Sequence, residues 1–243
     1  MKKHISAIVF AMAIIVSSFI LGNAYLNRNK TKGTISVTGL GQSDFISDLI
    51  VWEARFSQIN VDLKQAYADL EHDKASISEY LRSKGLNDSV IVFSAVKTSK
   101  NMKRNYTSSG DFLGEEFTGY TLSQTVQIDS KEVEKVEKIS REVTELLNKG
   151  IQLYSISPRY YYTQLDHLKI EMISQATENA RLRAERIGQN SKAELGDLTL
   201  ARMGIFQITG QNSNEDYSWG GAYNTSSKAK TASITMKLTY RVK

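Results

Sequence analysis

The 243-residue sequence has no cysteine, which excludes disulfides, thiolate metal sites and cysteine nucleophiles together. One proline and fifteen glycines are too few for a collagen-like, Pro-rich or low-complexity architecture. The three histidines, His4, His72 and His167, lie far apart and give a His-rich metal centre or a His-based catalytic dyad little to work with. His72 and His167 also fall on helical patterns between charged neighbours, the setting of surface imidazoles. Neither sign of charge dominates, because 31 Lys and Arg face 26 Asp and Glu, a net +5 spread along the chain. Nucleic-acid binders concentrate a basic stripe instead, so no nucleic acid is expected as partner.

Sequence motifs that carry mechanism are missing as well. There is no G-x-x-x-x-G-K-[ST] phosphate loop, no H-E-x-x-H zinc helix and no G-x-S-x-G nucleophile elbow. Gly39-Leu40-Gly41 opens like a dinucleotide-binding turn, but Asp44 stands where the next glycine is required and a strand follows instead of a helix. Asp69, Glu71 and Asp73 alternate within a helical pattern, where residues two apart do not share a face, so they read as solvated and not as a metal cage. The expectation is a protein that is not an enzyme and carries no metal and no cofactor.

What is present is an ordinary globular composition, 41% hydrophobic and 23% charged. One uncharged apolar run, residues 5–22, follows Lys2 and Lys3. As a helix it measures roughly 27 Å, close to the hydrocarbon thickness of a bilayer. Residues 1–26 are therefore a signal peptide or a membrane anchor, with membrane association through residues 5–21. Length favours a retained anchor, whereas Gly22-Asn23-Ala24 offers a small-x-small cleavage site. Arg28, Lys30 and Lys32 balance Lys2 and Lys3 across the run, so flanking charge does not set its orientation. Residues 27–33 form a polar linker.

From residue 34 onward the apolar period switches repeatedly between 2 and 3.6, as in mixed α and β domains. Strands are expected at residues 35–40, 49–59, 90–100, 120–128, 151–162, 198–208 and 233–242. The strand at 49–59 puts Ile50, Trp52, Ala54 and Phe56 on one face. Pro158 confines the strand at 151–162 to an edge. Helices are expected from an Asn60 cap to Gly85, from an Asp129 cap with Glu132 three residues on to Gly150, and over residues 164–189. The last carries Leu168, Met172, Ala176, Ala180 and Ala184 on one side. The expected fold is α+β, a largely antiparallel sheet of about seven strands with three helices on one face.

The order of these elements resembles the SIMPL domain family. The residues that carry the resemblance are Ile35-Ser-Val-Thr-Gly-Leu-Gly41, Glu53 on the second strand, Leu81-Arg-Ser-Lys-Gly-Leu86, Gly119-Tyr-Thr-Leu-Ser-Gln124 and the alanine-spaced helix leading to Leu195-Gly196. The resemblance covers residues 34–243. It implies a periplasmic or cell-envelope α+β protein that assembles into ring-like or channel-like homo-oligomers, and family members include a periplasmic immunogenic protein and an oxidative stress defence protein. Its motifs are structural, so no catalytic residue is implied. The alternative it leaves open is a small-molecule-binding or oxidant-response periplasmic factor acting without thiol chemistry.

Two stretches fit no family pattern. Residues 101–115 contain Met102, Tyr106 and Phe112, and residues 210–228 contain Tyr217, Trp219 and Tyr223, all among small polar residues. Both are read as loops long enough to be functional, with aromatics of the kind that supply contact surface. Tyr106, Phe112, Tyr217, Trp219 and Tyr223 are the candidate interaction residues. Of Tyr160, Tyr161 and Tyr162, alternation along a strand buries the middle ring or the outer two, never all three.

Overall fold

The computed structural model describes residues 2–28 and 33–243. Residues 29–32, most of the expected linker, lie outside the described residues, as does Met1 of the expected signal or anchor. The apolar run forms helix α1 (Lys2–Arg28), within which Val9–Leu26 is long and apolar enough to cross a membrane and is wholly unburied.

From residue 33 the chain belongs to two compact units. The first takes residues up to Gly41, Ile173–Gly204 and Ile234–Lys243. In it, strand β1 (Thr34–Ile46) lies beside β10 (Ala229–Val242), and β10 runs antiparallel to β8 (Leu195–Met203). Along β10, Ile234, Met236, Leu238 and Tyr240 are buried, while Thr235 and Lys237 are exposed. This is the period-2 pattern of a sheet with one face covered. The cover is helix α4 (Leu165–Asn190), whose Ala176, Ala180 and Ala184 are fully buried. Small side chains let the backbones close up. A Cβ on Gly39 would fall inside van der Waals distance of the Ala176 carbonyl and the Ala180 amide nitrogen. Only glycine fits there.

The second unit takes Gln42–Met172 and Ile205–Ser233. Its centre is a six-stranded sheet in which β2 (Leu49–Asn60) and β5 (Phe112–Ser130) pair antiparallel over eleven residue pairs, from Ile50 with Ser130 to Asn60 with Tyr120. On the far edge of β5 lie β3 (Ile91–Phe93) and β4 (Lys97–Tyr106) in succession. On the far edge of β2 lie β6 (Leu153–Ser155) and β7 (Arg159–Tyr161), split around Pro158 as its missing donor requires. Ile50, Trp52, Ala54 and Phe56 are wholly buried, against Val126, Ile128, and the inner faces of α2 (Leu63–Ser83) and α3 (Val133–Glu142). Burying side chains of this size contributes about 1.5–3 kcal/mol each. Strand β9 (Gln207–Gly210) pairs antiparallel with Lys230–Ser233 of β10.

Several expectations need correction. The architecture is α+β with antiparallel sheets, but ten strands in two sheets appear among the described residues where about seven in one were expected. The helices do not all cover one sheet, since α2 and α3 pack on the second unit's sheet and the alanine face of α4 belongs to the first. Helix α2 is capped by Asp62, whose carboxylate accepts from the amides of Lys64 (2.7 Å) and Gln65 (3.1 Å), whereas Asn60 accepts from the amide of Asp62. Helix α3 begins three residues beyond Ser130, which caps the approach by accepting from the Glu132 amide; Asp129 instead accepts from Gln127. After Glu142 the chain tightens into a 3-10 helix, Val143–Lys149, closed by Gly150 at φ 78°. Three residues per turn put Val143 and Leu146 on the same buried face and turn Leu147 outward.

Candidate interaction surfaces

Residues 101–115 are not a loop. They form the outer part of a β-hairpin in which β4 pairs with β5 from Lys97 with Ser123 to Tyr106 with Phe112. A tight turn closes it, with the Thr107 amide donating to the Asp111 carbonyl (2.8 Å) and the Asp111 amide to the Thr107 hydroxyl (2.9 Å). The sequence missed this because the two bulges, between Asn101 and Met102 and between Asn105 and Tyr106, break the period-2 pattern. Beyond Gly119 the hairpin leaves the sheet. Gly119 has φ 138°, and a Cβ there would lie 2.8 Å from the Asn60 carbonyl oxygen. β2 ends at Asn60, so residues 112–118 of β5 have β4 as their one strand partner.

Registered partners share a face of this ribbon. Met102 and Phe117 form one pair, Arg104 and Glu115 the next, Tyr106 and Phe112 the last. The Tyr106 and Phe112 rings meet edge-on at 5.7 Å, and the Arg104 guanidinium donates to Glu115 at 2.9 Å. All five large apolar side chains here are exposed: Met102, Tyr106, Phe112, Leu113 and Phe117.

Residues 211–228 do form a loop, and it is firmly held. The buried amide of Gln207 donates to the Ser218 carbonyl (2.8 Å) and accepts from the amides of Ala222 (2.6 Å) and Ser218 (3.2 Å). Ile208 and Asn224 exchange further backbone bonds with the loop, the Ile208 amide reaching Ala222 at 2.7 Å. Between these clamps Trp219 stands 96% exposed. Tyr217 and Tyr223 are exposed on the same loop, and the Tyr217 hydroxyl accepts from Ser233. No ring contact joins these aromatics to Tyr106 or Phe112 among the described residues.

Lys230 secures the base of the loop. It is 2% exposed, and its ammonium donates to the carbonyls of Asn224 (2.5 Å) and Tyr160 (2.7 Å). Burial pulls its pKa down to about 8, partly opposed by the charge of Glu215, which itself accepts from Asn224 and from the Gly210 amide. Lys228 reaches the other way, to Glu134 and Glu137 of α3 at 2.8 Å each. Hydrogen bonding to Lys228 holds Glu137 below the usual carboxylate range, with Arg141 adding to it, and the bonds to Glu134 and then Glu137 raise Lys228. The charged face of α3 is therefore partly tied to the loop. Asp73, which its spacing with Asp69 and Glu71 marks as solvated, is instead buried and accepts from Gln58 at 2.7 Å.

Tyr160 is the buried member of its triplet, with Tyr161 and Tyr162 half-buried and Tyr162 against Phe45 at 4.8 Å. Burial and then Glu137 push the Tyr160 hydroxyl upward. A small polar pocket of 250 Å³ opens beside it, lined by Glu137, Ser140, Arg141, Ser155, Ser157 and Pro158 among others. In the first unit, β8 leaves Leu198, Leu200 and Met203 exposed along an edge, though the sequence reads them as ordinary sheet residues. Among the described residues no group of three or more His, Asp and Glu is placed to hold a metal.

No curated protein matches the chain. The model of one family does, over residues 35–243 and hence over both compact units together. With turn glycines, alternating strands and helix-packing alanines in the places the sequence assigned them, the chain belongs to the SIMPL family, described as proteins of unknown function (DUF541).

Proposed function

We propose that this is a non-enzymatic envelope protein, exported or held by its apolar N-terminal helix, whose SIMPL domain self-associates into a ring-like or channel-like homo-oligomer. The observation that carries the reading is the amount of ordered apolar surface left uncovered. The β4–β5 ribbon and the 211–228 loop display Met102, Tyr106, Phe112, Leu113, Phe117, Tyr217, Trp219 and Tyr223 on backbone that is hydrogen-bonded in place. Contiguous apolar patches on well-ordered elements mark protein interfaces. Family membership and the span Val9–Leu26 support an envelope location.

Light scattering coupled to size-exclusion chromatography of the full chain in detergent tests this. The expected mass, after subtraction of detergent, is several times that of one chain. A single-chain mass at every accessible concentration would contradict it.

One observation favours a second reading, a small-ligand or oxidant-response factor linked to stress defence. The pocket beside Tyr160 gathers Glu137, Arg141 and three serines, and Met102 and Met203 are exposed to oxidants. Catalytic turnover of peroxide by the pure protein would move this reading ahead of the first.

A further inference from the structure

We infer that the β4–β5 ribbon is the surface through which copies of this chain join, edge to edge and head to tail, with β4 of one copy laid along β5 of the next. This deepens the self-association proposed above and rests on it.

Three observations point to a second copy as the occupant. The first is that both ribbon edges are open. On the side away from β5, β4 has no strand partner along Lys97–Tyr106, and on the side away from β4, residues 112–118 of β5 have none either. No other backbone hydrogen bond reaches residues 112–118 among the described residues. Two unpaired edges on one element are two templates for strand addition.

The second is charge. Strand β4 carries Lys97, Lys100, Lys103 and Arg104 and no acid, whereas residues 112–119 carry Glu115 and Glu116 and no base. Arg104 and Glu115 satisfy one another within the ribbon. Lys97 and Lys100 form no ion pair among the described residues; Lys103 stands in register with Glu116 without forming one, and Glu116 receives only the weak amide contact of Asn105 at 3.4 Å. One edge is left basic and the other acidic. Each is complementary to the opposite edge of another copy and repelled by its own kind, which selects β4 against β5 and opposes β5 against β5.

The third is direction. Strands β4 and β5 are antiparallel, so a ribbon placed beside another in the same orientation sets β4 against β5 antiparallel again. Met102, Phe117, Tyr106 and Phe112 then continue from ribbon to ribbon as one apolar face. A contact of this kind is heterologous. It repeats with every copy added and closes into a ring when the rotation per copy allows. The twist between neighbouring strands supplies such a rotation.

The test uses the lack of cysteine in the native chain. Full-length Glu116→Cys is mixed in detergent with full-length Lys103→Cys or Asn105→Cys, each residue on the face that Glu116 shares, and oxidised mildly. Mass is measured on the same samples. The inference predicts mixed disulfides, formed only when both variants are present, in up to about half of the assembled chain, the share that random head-to-tail mixing places face to face. Glu116→Cys joining to itself in preference would overturn head-to-tail pairing. An assembled mass without mixed disulfides would overturn the ribbon as the joint while leaving self-association standing. A single-chain mass without crosslinks would overturn both. Lys103→Glu should lower the assembled fraction several-fold, and Lys103→Glu with Glu116→Lys in the same chain should restore it. Failure of the paired swap to restore assembly would count against the charge argument.

Discussion

Strand β5 behaves as two different strands end to end. Over residues 120–130 it is paired with β2 throughout and, on its other edge, with β4 at 120–123 and β3 at 126–128, and Leu122, Gln124, Val126, Ile128 and Ser130 turn inward while Ser123, Thr125 and Gln127 stay partly open. Over residues 112–118 it is paired on one edge and has no buried side chain. The inner half is held by the core and specifies its own register, because a one-residue slip would invert every side chain. The outer half is held by its partner strand, its turn, one exposed ion pair and the edge-on contact of Phe117 with Tyr120. A two-stranded ribbon that buries nothing is marginal in water. None of its apolar side chains is among the buried core residues, which fits a surface that is completed elsewhere.

The largest test of this contrast is a pair of aromatic truncations. Phe56→Ala removes a fully buried ring from the sheet under α2 and should cost about 3–5 kcal/mol in urea unfolding. Phe117→Ala, on the ribbon, should change unfolding by less than about 0.5 kcal/mol while reducing assembly. Equal costs would erase the distinction between the halves.

The junction comes next. Gly119 combines a left-handed φ with the near approach of the Asn60 carbonyl, so Gly119→Ala should lose about 1–3 kcal/mol by the same assay. A neutral result would mean that the ribbon does not depend on this turn for its departure from the sheet.

A smaller effect separates the held loop from the ribbon by pH. Lys230 has a folded pKa near 8 against 10.5 in the unfolded chain. Between those values the unfolded state binds more protons, so stability rises as pH increases from 8 to 10.5. The slope from this one group is at most about 1.4 kcal/mol per pH unit. Tyr80, Tyr160 and Tyr223, whose hydroxyls desolvation pushes upward, oppose the trend above pH 10, since their raised values keep protons on the folded state. Urea midpoints from pH 8 to 10 should therefore climb in the native chain and flatten in Lys230→Met. A native profile without that climb would contradict the buried ammonium.

The smallest effect belongs to the ribbon's own ion pair. Arg104 and Glu115 are both exposed, and Arg104→Ala should shift monomer stability by less than about 0.5 kcal/mol. A loss above about 1 kcal/mol would place the ribbon within the folded core's cooperativity.

Regular hydrophobic alternation made β2, the inner half of β5 and the alanine face of α4 legible, because in each the chain packs against one continuous apolar layer. Gly85 and Gly150, with φ 84° and 78°, ended their helices as left-handed caps should. The ribbon was illegible as structure for the opposite reason. It packs against nothing, so selection for burial left no period, and two bulges shift what alternation remains. Its aromatics were nevertheless legible as surface. The long-range ties were invisible: nothing local announces that Glu137 on α3 meets Lys228, or that Asp73 turns inward to Gln58. Two sheets were read as one because strand pairing is set by tertiary contacts and not by strand sequence.

On this reading another copy of the chain finishes the outer ribbon. Amide hydrogen exchange on the full-length protein in detergent, compared between assembled and diluted samples, addresses it at the residues concerned. Protection in the assembled sample should rise along residues 97–106 and 112–118 and stay unchanged along residues 120–130. Equal exchange of the ribbon in both samples, with the protein shown to be assembled in one, would contradict it.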